Sequence, residues 1–193
     1  RIQRVRYQKE LGIKPGQFVI GQVGRIVRWK GHDTFLRAAA ILKETRPNTV
    51  FVIVGSGDQS WLENLRKLSS QLGLEESVLW LKPSSDVERI LNMLDVLTVC
   101  SRSGEGFPNI IGEAMAVGTA VVGTDVGETA NLLQDVGMVF PRGDHKRLAE
   151  RWKQLASDPE LREKISTAAQ KTVHRLYAID QKSYLIFFHL NFL

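Results

Sequence analysis

Six short runs rich in Val, Ile, Leu and Phe, at residues 18–23, 50–54, 78–81, 96–99, 119–122 and 138–140, alternate with stretches whose apolar residues recur at helical spacing. This alternation constrains the chain more than any other feature. The runs are continuously apolar, as strands covered on both faces are, whereas a half-exposed strand alternates apolar and polar positions. Between them, helices are predicted at residues 32–45, 59–72, 86–94, 108–117, 128–133 and 147–156; the first places Phe35, Leu36, Ala39 and Leu42 on one face. Strands and helices in strict alternation predict a doubly wound α/β domain built on a parallel sheet of about six strands. With 193 residues there is room for one such core and not for two.

The flanks read differently. Residues 1–17 form a basic helix closed by Gly12 and a Pro15-Gly16 turn, and read as a linker. The core domain spans 18–176, its last helices capped by Asp144 and Asp158, with Pro159 at a first helical position. Residues 177–193 end in the apolar stretch LIFFHLNFL, about half of the roughly 20 residues a membrane-spanning helix needs.

Charge is unevenly placed. Residues 1–30 carry eight bases against Glu10, a local charge of +7, and the remainder sums to −2. Such a patch attracts phosphate in any form. Aromatic residues do not interleave with the bases as on a single-strand stacking platform, so nucleic acid is not the expected partner. Cys100 is the single cysteine. It can form no internal disulfide, suits a reducing, cytoplasmic compartment, and reads as a buried, inert thiol rather than a nucleophile.

Ligands of open parallel sheets bind outside the carboxyl ends of the strands, which directs attention to residues 24–31, 55–59, 82–85, 100–108 and 123–128. The fourth loop is the strongest candidate. Gly104 and Gly106 permit close backbone approach, Pro108 opens a helix, and the amides of Phe107, Asn109 and Ile110 are free to point at an anion. Glu113 stands about 7 Å further along that helix, at roughly 1.5 Å per residue, beyond the phosphates and level with a nucleoside. Its carboxylate suits a ribose diol, and equally suits a solvated helix face; Glu105 reads either as a ligand or as a charge favourable to the helix start.

The loop after the first strand places Arg25, Arg28 and Lys30 within six positions, able to clamp a diphosphate or simply to be solvated. His32 caps the following helix or acts in catalysis. Gly55-Ser56-Gly57-Asp58 lacks the spacing of a dinucleotide fingerprint, and no Walker lysine, HExxH or Asp-x-Asp pair occurs, so neither NAD nor a metal is expected.

These residues resemble the carboxyl-terminal, donor-binding half of a GT-B glycosyltransferase, specifically retaining glycosyltransferase family 4. The resemblance is carried by VGRIVRWKGHDTFLRAA, FVIVGSGD, EGFPNIIGE with seven residues between Glu105 and Glu113, GTAVVGTDVGE and MVFPRGD, in the family's order. It implies a Rossmann-like domain that binds a nucleotide diphosphate sugar without a metal cofactor. Arg25, Lys30 and Glu105 are the implied catalytic residues, and Gly24, Gly55, Lys82, Gly106, Phe107, Pro108, Asn109, Ile110 and Glu113 the implied donor site. It further implies an amino-terminal acceptor-binding domain that this chain lacks, a chain inactive alone, and peripheral membrane association of the full enzyme. Glu128 departs from the glycine many relatives carry there. Alternative readings are a non-catalytic anion-binding or interaction module, recruited through the basic amino-terminal helix, and a GT-B epimerase or phosphorylase.

Overall fold

A computed structural model describes residues 2–103 and 109–178. Six parallel strands, β1 (Phe18–Val23), β2 (Thr49–Val54), β3 (Val78–Leu81), β4 (Val96–Val99), β5 (Ala120–Thr124) and β6 (Met138–Phe140), form one sheet in the order β3-β2-β1-β4-β5-β6. Among the described residues eight α-helices accompany them: α1 (Ile2–Glu10), α2 (His32–Thr45), α3 (Gln59–Gln71), α4 (Val87–Met93), α5 (Asn109–Val117), α6 (Glu128–Leu133), α7 (His145–Ser157) and α8 (Pro159–Ala178). The expected doubly wound α/β architecture is therefore present, with most element ends within two residues of the sequence reading.

Neighbouring strand residues face opposite ways, and each way meets a helical layer. Ile20, Phe51, Ile53, Val96 and Val122 pack with Phe35 and Leu42 of α2, Leu65 of α3 and Trp152 of α7. On the other face Val19, Val52, Val54, Leu97 and Val121 meet Ile90 of α4, Ile111 and Met115 of α5, and Val173 of α8. Trp152 anchors the first layer: its ring lies edge-on to Phe35 at 5.1 Å, and its indole N–H donates to Thr98 Oγ1 at 3.0 Å. A buried tryptophan thus has both its area and its polar atom accounted for.

The order of the strands locates a crevice. The chain runs outward from β1 through β2 to β3, then returns to lay β4 on the other side of β1, so the switch point lies between β1 and β4. Pairing is thinnest there: β1 matches β2 over six residue pairs, from Phe18↔Thr49 to Val23↔Val54, but meets β4 only at Ile20↔Val96 and Gly21↔Leu97.

Two sequence expectations are corrected. Gly123 and Thr124 belong to β5 rather than to the loop after it, because Thr129 and Leu133 of α6 close directly over Gly123, where any side chain would collide with them. His32 does not cap α2; Gly31 is the residue at that position, in the left-handed conformation, and His32 is the first residue of the helix.

Asp144 and Asp158 do cap, accepting from the amides of Arg147 and Leu161 at 2.9 Å each. Residues 1–17, read as a linker, include a helix docked on the domain. Gln8 donates to the Met93 carbonyl at 2.7 Å, and Arg4 pairs with Asp95, whose other oxygen receives the Val19 amide at 2.8 Å. No helix among the described residues is long and apolar enough to cross a membrane. The apolar stretch 184–193 lies outside the described residues.

Candidate functional site

The loop leaving β1 continues the sheet after the strand has ended. The Gly24 amide donates to Val54 O at 2.9 Å, Ile26 to Ser56 O at 2.8 Å, and Ile26 makes an isolated parallel bridge with Gly57. This zipper needs glycine: at Gly55, φ +157°, an added Cβ would stand 1.9 Å from the Gly24 carbonyl oxygen. Asp58 then caps α3, its carboxyl held below the usual range by the Trp61 amide and the Ser60 hydroxyl.

Gly24, Arg25 and Gly55, three of the implied site residues, line one cleft of about 210 Å3 with Val23, Val54, Ser56, Pro83, Ser84, Val87 and Ile90. Lys82 is exposed and outside this lining; its neighbours Pro83 and Ser84 form the wall instead. Val87 and Ile90 are contributions of α4 that the loop-by-loop reading missed, although their spacing of three on a helix marks them as one face.

Residues 100–102, which follow β4, are each tied down. Gly31 packs so closely on Cys100 that a Cβ there would lie 2.1 Å from the Cys100 carbonyl oxygen. Thr124 Oγ1 donates to Ser101 O at 2.7 Å, and the Arg142 guanidinium to Arg102 O at 3.0 Å. The Arg102 amide donates to Trp29 O at 2.7 Å, and its guanidinium pairs with Asp33 at the start of α2. The loops after β1 and β6 and the last residue of β5 therefore converge on residues 100–102. Cys100 is fully buried with its thiol pushed well up by burial, consistent with an inert core cysteine.

Of the three bases in the first loop, two share a partner. Arg25 Cζ lies 5.8 Å and Lys30 Nζ 4.5 Å from the centroid of the Trp29 ring, whereas Arg28 is drawn away over Trp61 at 4.6 Å. Buried Gln22 of β1 donates to the Lys30 carbonyl at 2.7 Å and fixes the end of the loop. His32 is 1% exposed, and burial lowers its pKa to about 4, with Lys30 pushing the same way and Asp33 opposing.

Glu113 lies on α5, one turn beyond Asn109, and both are half-buried. Burial alone raises its carboxyl above the usual carboxylate range. Residues 104–108, including Gly104, Glu105, Gly106, Phe107 and Pro108, lie outside the described residues; Asn109 and Ile110 open α5. Among the described residues no three His, Cys, Asp or Glu side chains are grouped as a metal site requires.

The sheet and its flanking helices define a Rossmann-like α/β domain with a topological switch point between β1 and β4, a fold that matches GT-B glycosyltransferase structures. Residues 3–172 match the glycosyl transferases group 1 family, and the chain belongs to it. It is 31% identical over 165 residues to the capsular polysaccharide biosynthesis glycosyltransferase CapM of Staphylococcus aureus, covering 83% of this chain and 42% of CapM. HepE of Anabaena, solved with UDP-glucose, superposes with a TM-score of 0.85 at 25% identity, covering 90% of this chain and 48% of that one. The carboxyl-terminal domain of the group 1 glycosyl transferase LpcC of Francisella tularensis superposes at 0.81 and 25% identity, covering 90% of this chain and 92% of that domain. The chain spans less than half the length of the curated relatives it matches.

Proposed function

We propose that this chain is the donor-binding domain of a retaining glycosyltransferase of family 4, taking a sugar linked to a nucleoside diphosphate. In this reading the base lies in the cleft walled by Pro83 and Ser84, the ribose hydroxyls donate to Glu113, and Arg25 and Lys30 face the diphosphate. When the bond from the anomeric carbon to the diphosphate oxygen breaks, the electron pair stays on the phosphate. Two fixed cations offset that charge as it grows, which lowers the barrier more than the ground state. The acceptor hydroxyl supplies the new bond on the same face and passes its proton to the departing phosphate oxygen, so configuration is retained. Glu105 would meet the sugar hydroxyls, and the amides of Gly106, Phe107, Asn109 and Ile110 the sugar and phosphates.

The observation that carries this reading is Glu113: a half-buried carboxylate on α5, one turn beyond Asn109, whose carboxyl burial raises above the usual carboxylate range. An acceptor-only group held in that state is matched by a ligand that brings hydroxyl donors. The family membership and the UDP-glucose bound by HepE support it. The rival interaction module would be recruited through α1, on which Arg4 is paired with Asp95 and Arg6, largely exposed, with Glu10. Transfer requires a second, acceptor-binding domain to close over the donor and position the attacking hydroxyl, so the chain alone is expected to bind and not to turn over. The same reading puts the enzyme in the cytoplasm, attached to a membrane only peripherally, with no metal.

Calorimetric titration with UDP-, GDP- and ADP-sugars tests this. One of them is expected to bind, and Glu113→Ala and Lys30→Ala are each expected to weaken it about tenfold or more. No detectable binding at millimolar concentration would refute the reading.

A further inference from the structure

We propose that Trp29 is a positioning residue of this site: its indole is the shared platform that holds Arg25 and Lys30 together, so that both charges reach one diphosphate. The inference rests on the donor-site reading above and adds a residue to it.

Both cations lie within 6 Å of the Trp29 centroid, Arg25 at 5.8 Å and Lys30 at 4.5 Å, the range in which a ring quadrupole attracts a positive charge. Arg25 is exposed and Lys30 half-buried; two like charges repel and each gains rotamer freedom by separating, which a ring shared between them opposes. The platform itself is fixed: the Trp29 carbonyl accepts the Arg102 amide at 2.7 Å, and the next carbonyl, that of Lys30, accepts from Gln22 at 2.7 Å. Trp29 is half-buried in a 3-10 turn, Arg28–Lys30, that ends at left-handed Gly31. A rigidly mounted ring therefore removes part of the ordering cost that a diphosphate would otherwise impose on binding. Arg28, in the same turn, is held by Trp61 instead, which separates the two presented charges from the third.

The test is calorimetry of this chain with UDP and with UMP, for the wild type, Trp29→Leu, Trp29→Phe, Lys30→Ala and the Trp29→Leu/Lys30→Ala double variant. Trp29→Leu should weaken UDP about fivefold to tenfold while changing UMP less than about twofold, and Trp29→Phe should restore UDP binding to within about threefold. In the Lys30→Ala background the leucine variant should cost markedly less than in the wild type, the mark of a shared interaction. Equal losses for UDP and UMP, as a merely structural role would give, or no loss for either, would overturn the inference. The two levels separate cleanly. A wild type that takes up none of UDP, GDP and ADP refutes the donor-site reading and this inference with it, whereas UDP binding that needs Lys30 but ignores Trp29→Leu refutes the inference alone.

Discussion

The backbone amide of Arg102 donates to the carbonyl of Trp29 across 2.7 Å, joining the loop after β1 to the loop after β4. These loops flank the switch point of the sheet, and the bond brings the residues that carry the cations against the segment that runs on to α5. Catalysis by fixed charges depends on such ties, because a dipole or cation that must reorganise during the reaction gives back much of its effect.

Gly31 makes that tie possible. It has φ +67°, and a Cβ would stand 2.1 Å from the Cys100 carbonyl oxygen. Gly31→Ala should therefore destabilise the chain by about 2 kcal/mol or more, combining the left-handed penalty with displacement of the β4 loop. Urea unfolding monitored by tryptophan fluorescence measures it; a cost below about 0.5 kcal/mol would show that the two loops separate freely.

Glu113 should trade stability for binding. A carboxyl whose folded pKa is raised holds its proton more tightly in the folded state than in the unfolded one, so above the unfolded value it subtracts from stability. Glu113→Gln should raise the melting temperature of the empty chain at pH 7 and weaken UDP binding in the same protein. The wild type's UDP affinity should also fall as pH drops through the raised carboxyl pKa. A variant that melts lower yet binds UDP normally would contradict this placement.

His32 sets an acid limit. Burial lowers its pKa to about 4 in the folded chain from the ordinary imidazole value of 6.5, so the unfolded state binds the proton first, and stability declines as pH falls from about 6.5 towards 4. The full effect is on the order of 3 kcal/mol, at 1.36 kcal/mol per pKa unit. His32→Leu should flatten the pH dependence of urea midpoints in that window. An unchanged slope between pH 6.5 and 4.5 would show that the imidazole is protonated without penalty.

If Arg25 and Lys30 supply the counter-charge for the diphosphate, a chelator has nothing to remove. Calorimetric UDP affinity should be the same in EDTA and in magnesium, to within about twofold. A large gain with magnesium would assign the charge neutralisation to an ion instead.

Much of the fold was legible in the residues because it rests on local pattern. Phe35, Leu36 and Leu42 mark α2 by their spacing, and Asp144 and Asp158 announce the helices they cap. Gly123 misled for a physical reason: a glycine at a strand end reads as loop, but here it admits Thr129 and Leu133 of α6. The candidate site was legible in its glycines and charges and not in its supports. Gln22 reads as an unremarkable strand residue until its amide meets the Lys30 carbonyl, and Asp33 and Arg102 are 69 positions apart. Which of three neighbouring bases share a ring is decided by Trp61, which comes from α3 and lies far from them in sequence.

The most direct measurement is a crystal structure of the chain with UDP at millimolar concentration. The account predicts the diphosphate within hydrogen-bond distance of Arg25 and Lys30, the ribose on Glu113, and the base against Pro83 and Ser84. A diphosphate seated elsewhere, as in the groove of about 690 Å3 lined by Arg4, Arg6 and Arg89, with Glu113 untouched, would contradict it.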